Sequence, residues 1–189
     1  MIVWMGAHSE YPSDYVQRLV DLLETSGADH VGGVLVPTGT TETQKAICAA
    51  YRTPIGTGVA LRGHANDGRV RQVDTVWGGC WWRERLLEAG LFDETLVRNQ
   101  DDELCFRLRK MGGKLLQDSS IRVSYHVRGR YKDLFYQYMQ YGFWKVGVAR
   151  KHPAQSRLRH YIPATFVLTV LMLLGGALFY PFLAWALVG

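Results

Sequence analysis

The sequence predicts an α/β domain with a partly parallel sheet, followed by a long apolar segment. Two observations carry this expectation. Short apolar runs that suit strands alternate with stretches in which apolar residues recur every three or four positions. The last residues, 161–189, contain no charged side chain at all.

Taken in order, MIVWM at 1–5 has the form of a short buried strand and stops at Gly6-Ala7-His8. YPSDYVQRLVDLLETSG follows as a helix, with Pro12 near its start, Val16, Leu19, Val20 and Leu23 on one face, and Gly27 as the stop. VGGVLVP at 31–37 is the next strand, and TETQKAICAAY at 41–51 the next helix. TPIGTGVALRGHANDGR is Gly-rich and polar, which predicts a long loop. Alternation in VRQVDTVW (70–77) predicts a strand, RERLLEAG a short helix, and KLLQD with IRVSYH two short strands.

Between these last two groups, RNQDDELCFRLR at 98–109 places Asp101, Asp102 and Glu103 ahead of Leu104, Leu108 and Met111, which share a helical face. Asn99 is the expected cap and Gly112-Gly113 the stop. Acids in a first turn offset the positive end of the helix dipole, so the cluster has a purely structural explanation as well as a chemical one. Because side chains at i and i+1 diverge by about 100°, at most one or two of the three can face a given substrate. The stretch 131–152 is a longer helix rich in aromatics, suited to lying at a membrane interface.

Composition narrows the function. The net charge of +5 is unevenly placed: no acid follows Asp133, whereas Lys145, Arg150, Lys151, Arg157 and Arg159 precede the apolar run. That run exceeds the roughly 20 residues a membrane-crossing helix needs, and the basic flank puts the preceding domain on the cytoplasmic side. Anionic lipid is the expected partner of these charges; no recognition motif points to nucleic acid. Cys48, Cys80 and Cys105 are odd in number and lack ligand spacing, which predicts reduced, buried thiols. GTG at 56–58 is too short for a phosphate loop.

Several side chains are candidates for a site. His8, at the end of the first strand, is a candidate metal ligand or a hydrogen-bonded structural residue, and His126 has the same two readings. Gly78-Gly79 permits close approach of a backbone or a sugar ring, and one of Trp81 and Trp82 can offer an indole face while the other joins the core. Arg83 can hold a phosphate or be a solvated first-turn charge.

The ordered set GAHSEYPSDYV, YRTPIGTGVALR, VDTVWGGCWWRERLLEAGLFDETLVRNQDDELCFRLRKMGGK, YQYMQYGFWK and a terminal apolar run resembles the second half of a family 2 glycosyltransferase. The nearest subgroup is the succinoglycan type of bacterial exopolysaccharide synthesis. The resemblance implies part of a GT-A domain over 1–130, an interfacial helix and linker over 131–160, and a transmembrane segment over 161–189. It implies inverting transfer from a nucleotide-diphosphate sugar to a lipid-linked or polysaccharide acceptor at the cytoplasmic face of the inner membrane, assisted by Mg²⁺ or Mn²⁺. Asp101 falls on the family's base, with Gln100 where Glu is usual; Asp102 and Glu103 are expected to orient the helix and tune that base. Gly79, Cys80, Trp81, Trp82, Arg83 and Gln100 are expected at the substrate. Gln140 and Trp144 loosely echo the Gln-x-x-Arg-Trp motif of processive relatives.

At the metal the pattern departs. The subgroup's Asp-Ala-His reads Gly6-Ala7-His8 here, which leaves His8 without the principal oxygen ligand of a hard cation. With the preceding half of the domain also unmatched, the sequence is expected to be a fragment or a degenerate paralogue. A membrane-tethered binding protein without activity is the alternative. A metal-dependent hydrolase built on the acid cluster has ligands too few and too dispersed.

Overall fold

The computed structural model describes residues 1–53, 67–155 and 162–177. The chain divides into a unit Met1–Arg150 and a second one from Lys151. In the first unit the elements are β1 (Ile2–Trp4), β2 (Ser9–Glu10), α1 (Tyr15–Ser26), β3 (His30–Thr38), α2 (Glu42–Tyr51), β4 (Val70–Gln72), β5 (Gly79–Trp81), α3 (Arg83–Glu88), α4 (Gln100–Lys110), β6 (Leu115–His126) and α5 (Tyr131–Lys151), which ends at the boundary. The sheet runs β1-β5-β3-β6-β2, with β4 also on β6. It is mixed, as the sequence predicts: β3 and β6 are parallel and the remaining pairs antiparallel.

Successive strand side chains point to opposite faces, and the core follows that rule. Val31 and Cys80 join Tyr15, Leu19 and Leu23 of α1 on one face of the sheet. Their neighbours His30 and Trp81 turn to the other face, where Trp81 packs with Leu86 of α3 and with Leu104, Cys105 and Leu108 of α4. A sheet between α1 and the α3–α4 pair results. Leu19, Leu23, Leu104 and Leu108 are fully buried, each contributing roughly 1.5–3 kcal/mol. A third, smaller cluster joins Ile47 and Cys48 of α2 to Val127, with Leu134 of α5 packed against it.

Local chemistry explains where the elements begin and end. Thr41 and Gln44 form a reciprocal capping box at the start of α2, and Gly27 closes α1 in the left-handed conformation at φ 64°. Other details correct the sequence reading. Tyr15, not Val16, completes the buried face of α1; Val16 is exposed. Met111 is likewise exposed. The run 70–77 is a strand only to Gln72, because the chain then turns Val76 into the core and pairs Asp74 with Arg109. The two strands expected in 114–126 are one strand, β6, with an irregularity where Gly32 pairs Gln117 but Val34 pairs Arg122. Asp118 accepts from the Ser120 amide there, and Arg18 donates to the Ser120 carbonyl, so polar ties hold the bulge.

In the second unit a 3₁₀ turn, Pro153–Gln155, precedes α6, Ile162–Ala177. Among the described residues no helix is long and apolar enough to cross a membrane. The transmembrane expectation over 161–189 is therefore not supported as a helix; α6 has 16 residues and the rest of that apolar run lies outside the described residues. Most of the predicted loop between α2 and β4, residues 54–66, also lies outside them.

Candidate functional site

The first turn of α4 gathers the polar groups. Asn99 stands at the cap position with φ 62°, a left-handed conformation that Asn tolerates better than most residues. In that conformation its side chain does not cap the helix. It reaches instead to α5, donating from Nδ2 to the Tyr141 carbonyl at 3.0 Å. Arg98 donates to Gln140 Oε1 at 3.2 Å, and Lys145 forms an ion pair with Asp102. Three polar ties thus bind the start of α4 to one stretch of α5. Gln100 donates to the Leu96 carbonyl, one turn back.

The three acids have three different surroundings. Asp101 is partly buried, and its carboxyl pKa is raised, chiefly by loss of water and also by the Asp102 charge; the helix amides of Asp102 and Asp101 and the Lys145 ammonium pull the other way. Asp102 is held by Lys145. Glu103 is 2% exposed and gripped by Arg107 one turn on, at 2.7 Å. That guanidinium also donates to the carbonyls of Ala89 and Leu91, where the turn after α3 passes with Leu91 at φ 60°. Glu103 therefore belongs to a buried latch between α4 and that turn. The expectation that it tunes the base is corrected on this point: its charge is already spent on Arg107.

The glycine-tryptophan stretch is corrected as well. Gly79 is required by a backbone, since a Cβ at its φ of +99° would lie 2.1 Å from the Val31 carbonyl oxygen. Cys80 and Trp81 are 0% and 1% exposed, so they are core and offer no surface to an acceptor. Trp82 is partly buried and donates its indole N–H to the Ala28 carbonyl at 3.1 Å. Arg83 is exposed at the start of α3. On α5, Gln140 is exposed and Trp144 partly buried, edge-on to Phe143.

A residue missed by sequence reasoning connects these regions. His30 is fully buried, stacked on Trp81 with ring centroids 4.0 Å apart. Its Nε2 lies 2.6 Å from the Gly78 carbonyl, which can only accept, so Nε2 carries the proton and Nδ1 is free to accept from the Cys105 thiol at 3.7 Å. Burial lowers the His30 pKa to about 4 and pushes the Cys105 thiol up to about 12, so both stay neutral. Arg107 was legible as the i+4 partner of Glu103; nothing in the sequence ties Lys145 to Asp102 or His30 to Gly78. All three cysteines are free and buried.

Among the described residues, the Gly6–His8 turn brings no set of cation ligands together. His8 is exposed, and among the described residues no three His, Cys, Asp or Glu side chains converge. Gly6 donates its amide to the Tyr11 hydroxyl, which donates back to the Gly6 carbonyl at 3.2 Å. A Cβ on Gly6 would come within 2.8 Å of the Trp77 ring, itself packed edge-on against Trp4. The space that a ligating carboxylate needs is filled by indole, so the residues present do not fit the divalent metal that the resemblance implies. His126 is held by Glu10 at 2.7 Å, across the β2–β6 pairing.

Chemically, the site offers one carboxylate with raised proton affinity beside a lysine-held neighbour, and a carboxylate of that kind can accept a proton from a hydroxyl. No family model matches the sequence and no solved structure matches it. The chain is 29% identical over 162 residues to the succinoglycan biosynthesis protein ExoA of Rhizobium meliloti (strain 1021), covering 86% of this chain and 48% of that protein. It thus spans about half the length of that curated relative. The succinoglycan-type resemblance carried by the motifs is therefore shown: along most of its length the chain is similar to a succinoglycan biosynthesis protein.

Proposed function

We propose that this chain is part of an inverting sugar transferase of succinoglycan-type polysaccharide synthesis, in which Asp101 is the general base. The observation that carries the reading is the raised proton affinity of the Asp101 carboxyl in the first turn of α4, combined with the likeness to the succinoglycan biosynthesis protein. In the step so envisaged, Asp101 takes the proton of an acceptor hydroxyl. The freed oxygen attacks the anomeric carbon of a nucleotide-diphosphate sugar. The bond from that carbon to the diphosphate breaks, and the nucleoside diphosphate leaves with the electron pair. No step is assigned to a metal, because the Gly6 turn does not fit one.

The acceptor in this proposal is a saccharide on a lipid carrier at the cytoplasmic membrane face. Its support is the outer face of α5, where Phe135, Met139, Phe143 and Val146 are exposed on one side of the helix and Lys132 and Arg150 share that side. An apolar stripe with flanking cations suits an anionic bilayer surface, at about 1 kcal/mol per basic side chain.

Replacing Asp101 by Asn tests the base. Transfer from nucleotide sugars to a membrane extract is expected to fall about 10²- to 10⁴-fold with unchanged folding. Full activity in the folded Asp101→Asn protein would remove Asp101 from the mechanism.

A further inference from the structure

The acids of α4 and the ammonium of α5 are 43 residues apart in sequence, and only the fold brings them together. We propose that Lys145 is a positioning residue for Asp101: from α5 it holds the Asp102 carboxylate, and through that hold it fixes the electrostatic setting and the placement of the neighbouring acid. The proposal deepens the reading of Asp101 as base, but its geometry stands without that reading.

Three observations point the same way. Lys145 pairs with Asp102 and not with Asp101, so the two adjacent acids are sorted, one into an ion pair and one left partly buried at the helix end. The pairing lysine is not loose, because α5 is registered against the same turn by Asn99 to the Tyr141 carbonyl and by Arg98 to Gln140. The residue three beyond Lys145, Val148, is fully buried, which anchors this part of α5 in the core. A lysine so placed neutralises the charge whose repulsion acts on Asp101.

The groups bearing on Asp101 can be named. On α4 they are Asp102 and, one turn on, Cys105, whose thiol burial keeps neutral; from α5 the charge is Lys145. Glu103 is taken by Arg107, and Arg98 by Gln140. Loss of the ammonium therefore acts on Asp101 in two ways, by removing its direct attraction and by unmasking Asp102. Both raise the proton affinity of Asp101. If the second route dominates, the effect of Lys145 must depend on the presence of the Asp102 charge.

Carboxyl-resolved NMR titration of the 189-residue chain, labelled at aspartate, reads this without any need for turnover. Lys145→Met is expected to raise the Asp101 midpoint by about 1 pH unit, and Lys145→Arg to leave it close to wild type. Asp102→Asn is expected to lower it, and Lys145→Met made in the Asp102→Asn background to move it far less than in wild type. Equal shifts in the two backgrounds would overturn the proposal, as would an unmoved Asp101 midpoint in folded Lys145→Met or in folded Asp102→Asn. Should Lys145→Met fail to fold, Lys145→Gln takes its place in both backgrounds, with the same raised midpoint expected and the same equal or absent shifts overturning the proposal. Retained transfer in Asp101→Asn would refute the base assignment alone; an Asp101 midpoint indifferent to Lys145 would refute the positioning role alone.

Discussion

The first turn of α4 and the turn at Gly6–His8 both lie at an element's end, where residues suited to chemistry are often displayed, but they are built from opposite materials. At α4, charge is organised: Asp102 meets Lys145, Glu103 meets Arg107, and Asp101 keeps a raised proton affinity between helix amides and a neighbouring acid. At Gly6, charge is replaced by aromatic packing, with Trp77 over the glycine, Trp4 against Trp77, and Tyr11 closing the backbone by two hydrogen bonds. The difference teaches that a carboxylate is retained where the fold supplies it a cation or a helix end. Where the fold supplies rings, even a Cβ would have to displace an indole. His30 spans the two regions, holding the Gly78 carbonyl beside the aromatic turn and the Cys105 thiol on α4.

The largest structural effect is expected on the charged side. Arg107→Ala takes the guanidinium from a carboxylate that is 2% exposed and releases the Ala89 and Leu91 carbonyls, so a loss of about 3–5 kcal/mol in denaturant unfolding is expected. A loss below about 1 kcal/mol would mean that Glu103 is not the buried latch described.

Next comes the residue that joins the two regions. Since burial holds His30 near a pKa of about 4 against 6.5, the unfolded chain binds its proton first as the pH falls. Stability from His30 is thus complete above about pH 6.5 and is lost progressively towards pH 4, by roughly 3 kcal/mol in all. Asp101, with its pKa raised in the folded chain, acts in the reverse sense, adding stability as it takes a proton. The measurement is therefore a difference: wild type should lose more than His30→Gln between pH 6.5 and 4. Parallel pH curves for the two proteins would show that His30 is not kept neutral by the fold.

The smallest effect belongs to the aromatic turn. Gly6→Ala puts a methyl against the Trp77 ring, and a loss of about 1 kcal/mol is expected, relieved when Trp77 is also made Ala. A fully stable Gly6→Ala protein would show that the indole moves aside freely and that the contrast between the turns is weaker than drawn.

Much of the architecture was legible because it rests on local patterning. The alternation of strand and helix and the stop at Gly27 both follow from residues within a few positions of one another. The misreadings share a physical origin in packing. Trp81 resembles a sugar-stacking indole until the alternation of β5 turns it onto His30 and α4, and Val16 shares the helical period of Leu19 but not its place over the sheet. Glu103 could not be separated from Asp101 and Asp102 by type, only by what each one meets.

By itself the sequence determined the class of fold, the position of an acid-bearing helix start, the missing carboxylate at Gly6 and the likeness to succinoglycan-type proteins, since all of these depend on residue type and order. The tertiary structure alone decided which acid is latched, which is paired and which retains its proton affinity. Proton affinity depends on distance to other charges and to water, and those distances are set where β5, α4 and α5 meet, by contacts between residues far apart in the chain.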